Sequence, residues 1–99
     1  MIYEVKLSAF AIEDLIELHR WLSVAADPST ASSYIDRIEE RITGLQAFPD
    51  RGTPRDDLVA GLRTLSFERR IVIAYRVDGG EVTVLRVIDG ARDLAGIFN

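Results

Sequence analysis

One dipeptide, Asp27-Pro28, does most to limit what this 99-residue chain can fold into. An aspartate can accept hydrogen bonds from the unpaired amides that open a helix, and proline at the first helical position gives up an N–H that has no partner there. Apolar residues recur at spacings of three and four on both sides of it, the mark of helices with one buried stripe. The earlier stripe is Ile12, Leu15, Ile16, His19 and Leu22. It follows a second capping residue, Ser8, and carries Glu13, Asp14 and Glu17 in its early turns, where the helix dipole favours acids. This first helix is predicted to end near Ala25 or Ala26. The later stripe is Ala31, Ile35, Ile38, Ile42 and Leu45, with Asp36, Arg37, Glu39, Glu40 and Arg41 turned largely to water and Phe48-Pro49 as its stop. Two helices joined by so short a link pack as an antiparallel hairpin.

The rest of the chain has the period of two that belongs to strands. Tyr3, Val5 and Leu7 alternate with Glu4 and Lys6 ahead of the hairpin. Residues 49–61 hold Pro49, Gly52, Pro54 and Gly61 and read as a loop. Leu62-Arg63-Thr64-Leu65 begins a sheet run, and a strand from Arg70 to Val77 places Ile71, Ile73, Tyr75 and Val77 on one face. Asp78-Gly79-Gly80 is a hairpin turn, and Glu81 to Ile88 is the last strand, ended by Asp89-Gly90. The order β-α-α-β-β-β describes an α+β domain, one unit over residues 1–99, with the helix hairpin packed on one face of a mainly antiparallel sheet. On the last strand Val82, Val84, Arg86 and Ile88 are expected on one face, opposite Thr83, Leu85 and Val87.

Composition enters chiefly through what it excludes. There is no cysteine and one histidine, His19, so disulfides, thiolate metal sites and cysteine nucleophiles are absent and no metal or cofactor is expected. The first strand carries an acid where a signal peptide would be basic, and no apolar run approaches a membrane span, which points to a cytoplasmic protein. The formal net charge of −4 speaks against direct nucleic-acid binding. It conceals an asymmetry, because residues 1–50 carry four basic against nine acidic side chains, whereas residues 51–99 carry eight arginines against seven carboxylates. A surface for an anionic partner therefore belongs to the second half.

Several candidates follow. Arg70, Arg76 and Arg86 would rim a small apolar patch on the sheet face turned away from the helices, a composition that suits an interface better than a catalytic pocket. Arg63, Arg70 and Arg76 are either part of such a surface or partners of Asp56, Asp57 and Glu68. Arg92-Asp93 is either an internal pair or a contact for a target. Leu94, Ile97 and Phe98 have the spacing of a short amphipathic turn that packs back on the sheet or meets a partner. Trp21 and Tyr34 belong to hairpin packing, unless Trp21 is exposed and serves an interface.

Taken in order, these features resemble the ParE/RelE toxin superfamily of bacterial type II toxin–antitoxin modules, and specifically its ParE branch. The resemblance rests on the opening strand with Ser8 and an acidic helix, Asp27-Pro28 with Ala31, and Phe48-Pro49 with Gly52 and Pro54. It continues through Gly61-Leu62-Arg63, Ile73-Ala74-Tyr75-Arg76-Val77, Leu85-Arg86-Val87-Ile88 and Gly90-Ala91-Arg92-Asp93. It implies a toxin held silent by a tightly bound cognate antitoxin, in a heterotetramer or larger complex, the antitoxin lying on the hairpin and along the sheet edge. RelE-like members cut mRNA on the ribosome, whereas ParE-like members poison DNA gyrase, and the fold alone does not choose between them.

Chemistry does distinguish them. Cleaving RNA requires groups that remove and return a proton and cations that meet the charge on phosphorus. In the resemblance, Arg92 matches an arginine of the nuclease branch, but Phe98 stands where a tyrosine is expected and Val72 where a sheet-face arginine is expected. Asp89 occupies the position before the glycine where a histidine is frequent in the ParE branch. The expectation is therefore a gyrase-binding toxin with no catalytic residues, in which Arg63, Arg70, Arg76, Arg86, Arg92, Leu94, Ile97 and Phe98 are candidates for binding target or antitoxin. The alternatives are a ribosome-dependent endoribonuclease and a non-toxic homologue that only binds antitoxins.

Overall fold

In the computed structural model, which describes residues 2–98, the chain starts with a short strand, β1 (Glu4–Leu7), that turns directly into helix α1 (Ala9–Ala25). Ser8 makes that junction possible. Its hydroxyl accepts from the Ala11 N–H at 3.1 Å and donates to the Leu85 carbonyl at 2.8 Å, so one side chain caps the helix and ties it to the sheet. Asp27 caps helix α2 (Pro28–Thr43) by accepting from the N–H and the hydroxyl of Thr30, both at 2.8 Å. A single 3-10 turn, Gly44–Gln46, ends the hairpin.

The Thr30 N–H, and after it the Thr30 hydroxyl, hold the Asp27 carboxyl below its ordinary value of 3.8. A depressed folded pKa means that the cap is complete above the unfolded value and is lost as pH falls through the folded one. Helix α2 should therefore begin to fray only as pH falls below the ordinary aspartate value of 3.8. Backbone chemical shifts of residues 28–31 followed against pH will show this, and Asp27→Asn, which keeps an acceptor but cannot titrate, should remove that acid transition.

Strands β2 (Thr53–Pro54), β3 (Leu62–Phe67), β4 (Ile71–Asp78) and β5 (Glu81–Asp89) complete a five-stranded sheet in the order β1-β5-β4-β3-β2. Only the β1–β5 pair is parallel. Helix α3 (Leu94–Phe98) follows β5. The α+β class and the element order agree with the sequence reading. The segment 49–61 is not all loop, because Thr53 and Pro54 pair with Thr64 and Arg63. A proline can stand here because β2 is an edge strand, where one side of the backbone needs no partner.

The core lies between the hairpin and one sheet face, with Ile38, Leu45, Ile73, Tyr75, Val82 and Val84 fully buried. Two details differ from expectation. Helix α1 turns Ala11, Leu15 and Leu18 inward, while Ile12 and Ile16 are 48% and 51% exposed. The helix has apolar residues on its flanks as well as its buried face, so the inward stripe is rotated from the one that periodicity selects. Strand β5 changes parity midway. Arg86 stands opposite Ala74 but Val84 stands opposite Tyr75, leaving Leu85 as an extra residue in a β-bulge. One inserted residue reverses the alternation beyond it, so Val87 joins Val84 in the core while Arg86 and Ile88 lie with Ala74 and Val72 on the second face. Leu62, Ala74 and Ile88 on that face are themselves buried by the chain, so the apolar middle of the expected patch is covered.

Candidate functional site

The arginines separate into those engaged inside the molecule and those left free. Arg63, on β3, donates to the backbone carbonyls of Asp50 (3.1 Å) and Gly52 (2.7 Å) and has the Asp50 carboxylate at 3.8 Å. It thereby pins the loop ahead of β2 beside Tyr75. The Tyr75 hydroxyl accepts from the Gly52 N–H at 2.8 Å and donates to the Pro49 carbonyl at 2.7 Å, and burial raises the phenol above its ordinary pKa. Pro49, Gly52 and Tyr75 are all buried, so this phenol is a structural tie with both hydrogen-bonding roles filled.

Arg86 is held by Asp14 of α1 in a two-pronged pair, Nε to Oδ2 at 2.8 Å and Nη2 to Oδ1 at 3.0 Å, which keeps the guanidinium protonated beyond its ordinary range. Asp14 Oδ2 also accepts from the Val87 N–H at 2.9 Å. The reason lies in the sheet. β1 pairs with β5 only as far as Val84, and past that point β5 has a free backbone edge. Ser8 takes the Leu85 carbonyl and Asp14 takes the Val87 amide, so side chains of α1 stand in for the missing strand. Arg76 is half-exposed, 3.9 Å from Asp78. Of the partners considered for these arginines, Asp57 pairs with Arg55 and Glu68 with Arg37 instead.

Arg70 and Arg92 are exposed, with no carboxylate within 4 Å among the described residues; Asp93 accepts from the Ala95 N–H and does not pair with Arg92. The Gly90 N–H donates to the Arg70 carbonyl, which brings the β3–β4 turn against the end of β5. Arg70 and Arg92 thus stand at one end of the sheet, on the rim of a groove of about 340 Å³ whose apolar lining includes Leu18, Trp21, Tyr34 and Ile71. The helix wall of the groove carries Asp14 and Glu17. Trp21 is 59% exposed there and so is available to a partner, and Tyr34 packs edge-on against Phe67 with ring centroids 5.5 Å apart. Leu94, Ile97 and Phe98 are half-buried on α3, and the last two line a separate hollow with Phe10, Leu85 and Arg86.

The sequence-derived candidates therefore do not form one cluster. Arg70 and Arg92 come together; Arg63 and Arg86 are engaged in holding the fold, and Arg76 lies apart. Sequence reading missed Asp14 as the partner of Arg86, a pairing across 72 positions with no local signal. It also missed the groove that Leu18 and Trp21 overhang, for which the exposed tryptophan is the available clue. A second apolar hollow, of about 430 Å³, lies on the other flank of α1 and is lined by Ile12, Ile16, His19 and Ile35. His19 is tied there to Ser32 at 3.1 Å. Among the described residues no cluster of three or more potential metal ligands occurs, and no helix is long and apolar enough to cross a membrane.

Comparison with known proteins bears on this arrangement. The sequence profile of the ParE toxin of the type II toxin–antitoxin system parDE matches residues 5–94. The chain is 45% identical over 65 residues to Toxin ParE3 of Caulobacter vibrioides, a match that takes in 66% of this chain and 64% of that protein. It thus spans somewhat less than two thirds of that relative. A chain from the chromosomal ParDE system of P. aeruginosa superposes with a TM-score of 0.79 at 29% identity, covering 89% of this chain and 96% of that one. A chain from the toxin–antitoxin complex RelBE2 of Mycobacterium tuberculosis shares the fold, with a TM-score of 0.64 at 24% identity over 93% and 95% of the two chains. With nearly the whole chain matched by the family profile and the fold shared with both structures, the chain belongs to the ParE toxin family of type II toxin–antitoxin systems.

Proposed function

We propose that this chain, as one domain over residues 1–99, is a cytoplasmic toxin that inhibits DNA gyrase by binding it, and that a cognate antitoxin neutralises it in a tight complex. Family membership over residues 5–94 is the observation that carries the reading. The side chains support binding over catalysis. The unpaired arginines at the end of the sheet stand beside Trp21, Tyr34 and Ile71; Tyr34 is packed edge-on against Phe67 with its phenol pKa raised by burial, and Tyr75 and His19 lie elsewhere. Tyr75 is buried in its tie to Pro49 and Gly52, His19 lies in the hairpin hollow, and Val72 and Phe98 cannot exchange protons. An antitoxin has a suitable seat in that hollow, where Ile12 and Ile16 remain half-exposed.

Expression without antitoxin tests the choice of target. Growth should stop with DNA-damage signalling raised and translation initially intact. Cleavage of mRNA at ribosome-engaged codons, abolished by Arg92→Ala, would replace this reading with the ribonuclease one.

A further inference from the structure

The structure assigns the groove between α1 and the end of the sheet, rimmed by Arg70 and Arg92 with Arg69 exposed on the adjoining turn, as the surface that takes hold of the toxin's target through an acidic protein segment with an apolar anchor. The inference rests on the proposed toxin function and deepens it by naming the surface and the chemistry of what it binds.

Strain is the first sign. Between β3 and β4 the turn is closed by Arg70 N–H donating to the Phe67 carbonyl, and Glu68 and Arg69 both have positive φ, 48° and 61°. Such turns ordinarily use asparagine or glycine, because a side chain in the left-handed region costs roughly 1–2 kcal/mol per residue. The fold could avoid that cost with glycine. Instead it keeps two long charged residues there and clasps the first to α2, with Arg37 Nε 3.0 Å from Glu68 Oε2. With Glu68 held, Arg69 and Arg70 project from a fixed turn, and strain retained where it serves no packing purpose is a property of binding sites.

Charge is the second. In a chain of net charge −4, Arg69, Arg70 and Arg92 are all exposed and none has a carboxylate within 4 Å among the described residues. The groove beside them offers Trp21, Leu18 and Ile71 to an apolar side chain. Its opposite wall carries Glu17, and on the arginines' side Asp89 is turned to its own loop, accepting from the Ala91 N–H at 2.8 Å. A nucleic-acid backbone would run its phosphates against that wall, whereas a peptide can set a carboxylate toward the arginines and an anchor into the groove. The hairpin hollow lies on the other flank of α1, so the antitoxin seat proposed above and the target surface are separable by substitution.

The experiment compares two double variants of equal charge change, Arg70→Glu/Arg92→Glu and Arg41→Glu/Arg51→Glu. All four arginines are exposed, and melting temperature checks that each variant is folded. Growth arrest without antitoxin reads target engagement whatever the target is, gyrase supercoiling reads the proposed target, and titration with purified antitoxin reads neutralisation. The Arg70/Arg92 variant should lose about tenfold or more in arrest and inhibition while its antitoxin affinity stays within about threefold, and the Arg41/Arg51 variant should behave as wild type. Wild-type arrest without gyrase inhibition would remove gyrase as the target and leave the surface to be judged on arrest alone. The inference is overturned by unchanged toxicity of the Arg70/Arg92 variant, an equal loss in the Arg41/Arg51 variant, a parallel loss of antitoxin affinity, or a wild-type chain that does not arrest growth. Wild-type binding of a short single-stranded RNA that the Arg70/Arg92 variant loses would reassign the groove to phosphates and overturn it too.

Discussion

Gly52→Ala should cost about 3 kcal/mol of stability and lower the melting temperature by about 15 °C. A Cβ at this position would lie 2.6 Å from the Tyr75 hydroxyl, 2.8 Å from Cε1 and 3.0 Å from Cζ. These are atoms of a rigid ring with no exposed surface, so the tyrosine cannot swing aside as a flexible side chain would. If the loop retreats instead, the Gly52 N–H and the Pro49 carbonyl both lose the phenol. Either path leaves buried polar groups without partners, each a cost of about 1–3 kcal/mol. Tyr75→Phe separates the two contributions, because it removes the hydroxyl while keeping the ring, and its loss should be about 1–2 kcal/mol. Urea titration of both variants against wild type is the measurement. A Gly52→Ala protein as stable as wild type would show that the loop does not sit against Tyr75 as described.

Asp14→Ala should cost about 2–3 kcal/mol, a large effect for a residue near the surface of a helix. Its side chain is only 10% exposed and that of Arg86 22%. Truncation leaves a guanidinium largely out of water without its anion and the Val87 N–H without an acceptor. Removing both charged partners should cost less than the sum of the two single truncations, because no unpaired charge then remains. Denaturant titrations of Asp14→Ala, Arg86→Ala and the double variant give the coupling. Additive losses would contradict the pairing, and a large loss of toxicity in a stable Arg86→Ala protein would show that this arginine also reaches the target.

Much of the fold was readable in the sequence because its decisive signals are local. Asp27-Pro28 announces the hairpin within two residues, Ser8 announces α1, and glycine at the β4–β5 turn supplies the positive φ of 61° found at Gly79. Ala31, Ile38, Ile42 and Leu45 are buried as their spacing requires. Unreadable parts depend on what meets what in space. The bulge at Leu85 depends on how β5 pairs with β4, and it alone puts Val82 and Val84 in the core with Val87 while Arg86 and Ile88 take the second face. Ile12 and Ile16 misled because apolar spacing records hydrophobicity without recording which of two apolar flanks faces the sheet. The candidate site suffered most. Eight residues were singled out by type and order, but whether an arginine is free or committed depends on partners such as Asp14 and Asp50 at 72 and 13 positions' remove.

The central claim is that this ParE-family toxin stops gyrase by binding it. Titrating purified, antitoxin-free protein into a gyrase supercoiling reaction tests it most directly. Inhibition should rise with toxin, require no RNA or ribosome, and disappear when antitoxin is added in equal amount. Full supercoiling activity at a large excess of folded toxin would contradict it.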